Sequence, residues 1–232
     1  MNKTNKKADL AMSDDQHSRV ISESSVIQES FFPTTIFYRD LSDAEKINRE
    51  VLPKIYSWAS EDQDGIVRSN VSSVGSWHSQ VDMHKREEYT QVVNEILSIA
   101  ELIFKAKGYD QAYKPMIDNM WANINPRYGY NRSHTHPGSL WSGCYYVQTP
   151  PGSGRIVFSD PRPQAWVYSA VFNTDAKRIP SEWSEVYYEA IAGRMIIFPA
   201  WLLHEVEPNL SELNGPEGDR ISIAFNISQY RK

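Results

Sequence analysis

Arg220-Ile-Ser-Ile-Ala-Phe-Asn-Ile227 decides the fold class. In an extended chain Ile221, Ile223, Phe225 and Ile227 fall on one face and Arg220, Ser222, Ala224 and Asn226 on the other, the period of two that defines a β-strand. Taken alone, the second face suits a half-exposed antiparallel strand with its polar side to water. The alternative is the inner wall of a barrel, where Arg220 and Ser222 meet a carboxylate. A guanidinium fork engages both carboxylate oxygens, and a hydroxyl two residues on lies on the same face. Position favours the barrel: Arg220 lies sixteen residues after His204, so a histidine and a cation fall on successive strands with one loop, residues 208–219, between them.

Moving outward from this stretch, the same period appears over residues 120–125, 141–148, 155–159 and 194–198, with Pro150-Pro-Gly-Ser-Gly154 as a hairpin-like turn. Helical spacing is confined to the N-terminal half. Ser42 and Glu45 form a capping-box pattern ahead of Ile47, Val51, Leu52 and Ile55, where Pro53 should kink or break the helix. Tyr89, Val92, Val93, Ile96, Ala100, Ile103 and Phe104 form an apolar stripe over residues 85–107, stopped by Gly108. Phe31-Phe-Pro-Thr-Thr-Ile-Phe-Tyr38 suits a first strand at an edge, because of Pro33. Residues 61–75 read as loop, and residues 1–28 as a flexible tail too polar to offset the entropy of ordering. The fold class is mainly β, a double-sheet jelly roll or barrel with helical support, in one domain over residues 29–232.

His134-Thr-His136 lies between two of these strands. Side chains one residue apart in an extended segment point the same way, so both imidazoles can reach one metal ion. His204, after Phe198-Pro-Ala-Trp-Leu-Leu, is placed to supply a third ligand. His17 belongs to the tail, His84 leads into a helix as a surface or capping group, and His78 beside Trp77 could line a substrate entrance. Asp160 in Ser-Asp-Pro reads as a turn cap. Cys144 in mid-strand reads as a small buried hydrophobe, since no paired histidine motif accompanies it.

The ordered set Trp121-Ala-Asn-Ile-Asn125, His134-Thr-His136-Pro, Ser142-Gly-Cys-Tyr-Tyr-Val147, Gly154-Arg-Ile-Val-Phe-Ser-Asp-Pro161, Gly193-Arg-Met-Ile-Ile-Phe-Pro199 with His204, and Arg220-Ile-Ser-Ile-Ala-Phe-Asn226 resembles the Fe(II)- and 2-oxoglutarate-dependent oxygenases. Within them it is most similar to the small oxygenases of marine bacteria and phages. The resemblance covers about residues 119–228. It implies a double-stranded β-helix (jelly roll), iron at one mouth of the barrel, and 2-oxoglutarate reaching Arg220 and Ser222 with its distal carboxylate. O2 is the other cosubstrate, and a substrate C–H bond is hydroxylated with release of succinate and CO2.

The wider family binds iron through H-x-D/E…H, which leaves positions open for cosubstrate and O2. Here His136 takes the carboxylate position, so the implied metal ligands are His134, His136 and His204. A second registration reads His136-Pro-Gly138 as H-x-G and leaves His136 and His204. Asn123 and Asn125 share a face with Trp121 and are candidates for contact with 2-oxoglutarate or substrate, as is one of Tyr145 and Tyr146; Tyr146 shares its face with Cys144. Residues 161–193 form a long insertion carrying Trp166, Tyr168, Phe172, Arg178, Trp183, Tyr187 and Tyr188, and its aromatic content with Arg162 suits a lid that selects substrate. Two alternatives stand beside the oxygenase: a three-histidine dioxygenase that needs no 2-oxoglutarate, with Arg220 binding the substrate's own carboxylate, and a non-catalytic jelly-roll binding module. A structural metal in the latter would have a closed coordination sphere.

Composition agrees with a globular fold. Apolar residues make up 41% and aromatic residues 12% of 232, enough for a core and an aromatic-lined cavity. The net charge of -5, with both signs interspersed, leaves no footprint for duplex nucleic acid or an anionic membrane. One cysteine forms no internal disulfide, and the first residues resemble no signal sequence, so a reducing cytoplasm is expected. The expected partner is a small-molecule or peptide substrate, with room for a homodimer.

Overall fold

The computed structural model describes residues 18–20, 27–68, 71–72, 75–168, 170–175, 177 and 179–232. His17, Arg178 and residues 1–17 and 21–26 of the expected tail lie outside the described residues. The chain forms two units, residues 1–35 and 36–232. In the first, β1 (Ser18–Val20) pairs antiparallel with β2 (Ile27–Glu29). Phe31 and Phe32 are exposed and form no strand. Phe32 has φ +60°, outside the extended region, so the aromatic run expected to start a strand is broken before Pro33.

The second unit is two antiparallel sheets with helices on one side of the larger. In chain order its elements are β3 (Phe37–Asp40), α1 (Ala44–Glu61), α2 (Gly65–Arg68), β4 (Trp77–His78), α3 (Thr90–Ala106), β5 (Tyr113–Asn125), β6 (Asn131–His134), β7 (Trp141–Gln148), β8 (Arg155–Ser159), α4 (Pro163–Val167), β9 (Glu185–Glu189), β10 (Arg194–Pro199), β11 (His204–Val206) and β12 (Arg220–Arg231). The larger sheet runs β3-β10-β7-β12-β5-β4 and the smaller β6-β11-β8-β9. Among the described residues no helix is long and apolar enough to cross a membrane.

Over Arg220 to Ile227 both faces of β12 are buried or half-buried, so the half-exposed strand that the alternation alone suited is not what forms. Ile221, Ile223, Phe225 and Ile227 join one core with Ile47, Val51 and Ile55 of α1 and Val92, Ile96 and Ile103 of α3. Each such side chain contributes about 1.5–3 kcal/mol of transfer free energy, so the helices make this the sealed outer face of the sheet. Across the other face Tyr146, Ile196 and Phe198 pack against Ile156, Phe158 and Leu202 in the layer between the two sheets. Gly143 permits this double burial: a Cβ there would lie 2.5 Å from Phe225 Cζ and 2.6 Å from the Ile196 carbonyl oxygen.

Several local expectations need correction. The capping box does not form, because the helix N-cap is Asp43 and makes no side-chain cap bond. Pro53 neither breaks nor ends α1; it sits on the exposed side, where water can serve the carbonyl its missing N–H would have bonded. The second helix starts at Thr90, after two 3-10 turns at Met83–Lys85 and Glu87–Tyr89. Gly108 stops it as expected, with φ +67°. The expected loop over residues 61–75 contains α2. The end of the insertion is barrel wall: β9 pairs along β8, with Tyr188 opposite Ile156.

Candidate metal centre and anion clamp

Sheet register brings the three histidines together. His134 ends β6 and lies directly opposite His204 on β11, which in turn faces Phe158 on β8. His136 follows the end of β6, its main chain tied by a hydrogen bond from its N–H to the Ala200 carbonyl at 2.8 Å. The ring centroids of His134 and His204 are 4.3 Å apart, those of His134 and His136 5.0 Å, and those of His136 and His204 5.1 Å. One ligand atom from each falls within 4.8 Å of the others. His136 Nε2 and His204 Nε2 face each other at 3.4 Å. Two neutral imidazole lone pairs meeting this way call for a proton or a cation between them.

Hydrogen bonds set two of the tautomers. His134 Nδ1 donates to the Arg132 carbonyl at 2.6 Å and His204 Nδ1 to the Leu202 carbonyl at 2.9 Å, which leaves both Nε2 lone pairs for a metal. Burial holds the rings neutral. It pushes the His204 pKa down to about 3 and that of His136 to about 4, with the neighbouring histidines adding to it, and lowers His134 as well. Three neutral nitrogen donors suit a divalent transition metal such as Fe(II), so the donor set fits the implied ion. Asp160 is committed elsewhere, to the backbone N–H and guanidinium of Arg162.

The histidines line a cavity of about 360 Å³ between the two sheets. Its floor is the inner face of the larger sheet. Register sets His78, Asn123, Ser222 and Tyr146 in one row across β4, β5, β12 and β7, and Trp121, Ala224 and Cys144 in the next. Tyr146 therefore faces the cavity, whereas Tyr145 turns to α1 and bonds Asn48 at 2.6 Å. Cys144 is packed against Tyr146, and burial pushes its thiol up to about 12, an inert group as expected. Asn123 is buried with its Oδ1 unpartnered. Asn125 reaches the same cavity but gives its amide nitrogen to Ser76 Oγ at 2.9 Å.

Arg220 closes one end. It is 1% exposed, and among the described residues no carboxylate forms an ion pair with it. Nη1 donates to the carbonyls of Ser153 and Glu207, and Nη2 to that of Gly129 at 3.2 Å. Three of its five N–H donors are thus used by backbone oxygens, and two stay for a ligand. Glu207 gives its own carboxylate to Arg155, through bonds of 2.8 and 2.5 Å. Glu207 still acts on Arg220 through its charge, but a buried guanidinium with spare donors and no directly bonded carboxylate can accept an anion.

His78, which the sequence offered as a lining residue of a substrate entrance, does line the cavity, whereas the sequence did not single out its stacking on Trp121. Trp121 stands between His78, stacked on it at 5.4 Å, and His136 at 6.0 Å. Their stacking depends on the pairing of β4 with β5, in which His78 lies opposite Asn123, and β4 has two residues, too few to give a periodic signal. Arg68 lines the far wall, but both oxygens of Asp62 and the His78 carbonyl occupy it. Among the described residues, the insertion over 161–193 contributes nothing to the cavity wall.

Three histidines and a buried arginine line one cavity between the two sheets, and known proteins share the fold that surrounds it. Residues 119–226 match the family described as "Putative 2OG-Fe(II) oxygenase". Solved structures share the fold at low identity. The prolyl-4-hydroxylase of Pseudomonas putida has a TM-score of 0.55 at 14% identity, over 83% of this chain and 92% of that one. A prolyl hydroxylase of Trichoplax adhaerens, solved with a hypoxia inducible factor peptide fragment, has a TM-score of 0.54 at 16% identity, over 83% of each chain. The viral collagen prolyl hydroxylase of Paramecium Bursaria Chlorella virus-1, solved as a 2OG complex, has a TM-score of 0.51 at 14% identity, over 83% of this chain and 94% of that one. No curated protein matches the chain. Residues 119–226 are thus similar to the 2OG-Fe(II) oxygenases in sequence, and the solved structures share the fold.

Proposed function

We propose that this chain is an Fe(II)- and 2-oxoglutarate-dependent hydroxylase. His134, His136 and His204 hold the iron, and Arg220 with Ser222 and Tyr146 holds the distal carboxylate of 2-oxoglutarate. The observation that carries the reading is Arg220: a buried cation without a directly bonded carboxylate, two donors unspent, opening into the cavity that contains three convergent imidazoles. Iron supplies the oxidation of a C–H bond, coupled to conversion of 2-oxoglutarate and O2 to succinate and CO2. The protein binds, orients and excludes water. Ser222 Oγ is two residues from Arg220 on the same strand face and adds a neutral donor. The Tyr146 hydroxyl stays protonated, because burial raises its pKa well above the ordinary value, and it too can donate.

A three-histidine dioxygenase is the second reading, favoured by the lack of any carboxylate in the metal cluster. In it Arg220 takes the substrate's carboxylate. Anaerobic equilibrium dialysis of 2-oxoglutarate against the Fe(II) protein separates the two. Micromolar binding that depends on Arg220, with succinate formed on admitting air, supports the hydroxylase; absence of binding refutes it.

A further inference from the structure

The three imidazoles are not held equally. His134 and His204 sit opposite each other on paired strands, and each has its Nδ1–H locked to a backbone carbonyl two residues upstream. His136 lies past the end of β6, and among the described residues nothing accepts from its Nδ1. Its ring is held by contacts only: against His204, nearly parallel at 16°, and beside Trp121. Behind it the chain turns through Gly138 at φ +95°. Hydrogen-bonded outer partners fix a ligand's tautomer and orientation and raise its basicity, and losing one typically costs about 10- to 100-fold in metal affinity.

We propose that His134 and His204 are the permanent metal-binding pair and that His136 is an exchangeable third ligand, positioned by Trp121 in place of the missing carbonyl. The inference rests on the metal centre proposed above and adds an order of lability within it. Release of His136 would leave a bound metal on the two neutral nitrogens of His134 and His204.

Co(II) is the probe. Proton spectra of the Co(II)-loaded protein should contain three strongly shifted ring N–H signals, assigned from the His→Ala variants. On transfer to D2O the His136 signal should vanish first, while those of His134 and His204, sheltered by their carbonyls, persist. Three signals decaying together, or a His136 signal outlasting the others, overturns the proposal. Affinities give an independent reading: His136→Ala, and His136→Gln as a second variant, should cost about 10- to 100-fold less Co(II) affinity than His134→Ala or His204→Ala. Equal losses overturn the proposal and leave the metal centre standing, whereas no loss in any variant overturns both. Trp121→Leu should weaken binding in the wild-type chain and add nothing in the His136→Ala background. A loss of the same size in both backgrounds overturns the positioning role of Trp121.

Discussion

Arg220→Ala should abolish useful 2-oxoglutarate binding while sparing the metal. In the folded protein the guanidinium is 1% exposed and meets three backbone carbonyls from three separate turns, so its position is fixed before any ligand arrives. Removing one partner of a buried charge pair costs about 2–5 kcal/mol of affinity. At about 1.4 kcal/mol per decade this is roughly a 30- to 4,000-fold rise in Kd. The carbonyls of Ser153, Glu207 and Gly129 lose their donor as well, at about 1–3 kcal/mol each if they stay dry, offset by removal of an unpaired buried charge. The variant should thus be folded but less stable. Calorimetric titration of the Co(II)-loaded protein with 2-oxoglutarate and with 2-oxobutyrate, which lacks the distal carboxylate, isolates the interaction. The wild type should prefer 2-oxoglutarate strongly and Arg220→Ala should not. Equal discrimination by both proteins would refute the clamp, whatever the absolute affinities.

Other expectations follow from the same geometry. Gly143→Ala drives a methyl group into Phe225 and the Ile196 carbonyl and should destabilise the fold by about 1–3 kcal/mol, read as a lower urea midpoint; an unchanged midpoint would mean the sheet yields there. In the metal-free protein His134, His136 and His204 all have pKa values below the ordinary 6.5, so the unfolded chain binds more protons in mildly acid solution. Stability is then fully present above about pH 6.5 and falls as pH drops toward 4. The slope is limited to about 1.4 kcal/mol per pH unit per histidine. His204→Phe should flatten this dependence, and identical slopes would count against buried neutral imidazoles. Deleting residues 163–182 should leave Co(II) and 2-oxoglutarate affinities within about twofold, as for other surface changes, because the insertion lines none of the cavity. A large loss would place this segment over the metal after all.

Much of the site was legible because it sits on strands whose period is visible. The alternation from Arg220 to Ile227 put Arg220 and Ser222 on one face, and the H-x-H spacing with His204 picked out the three histidines that the structure brings together. What stayed hidden depends on backbone rather than on residue type. Carbonyls of Gly129, Ser153 and Glu207 hold Arg220, and no side-chain pattern marks a carbonyl. The strands β6 and β11, four and three residues long, are too short for periodicity, so the direct opposition of His134 and His204 appears only in the register. Strand β9 was concealed within an aromatic stretch that composition alone assigned to a lid. Pro53 misled because propensity carries no knowledge of which side of a helix faces water.

The placement of β12 bears on how the molecule is made. It follows every other described strand in the chain, yet it lies between β5 and β7, bonded to both along most of its length. Until it inserts, the larger sheet is two fragments with unpaired edges, and the cavity lacks both Arg220 and Ser222. Closing that gap joins residues about a hundred positions apart, such as Ser222 and Asn123, a long-range pairing of the sort that slows folding and exposes edges to aggregation meanwhile. The proposed cosubstrate site is therefore assembled only when β12 takes its place in the sheet.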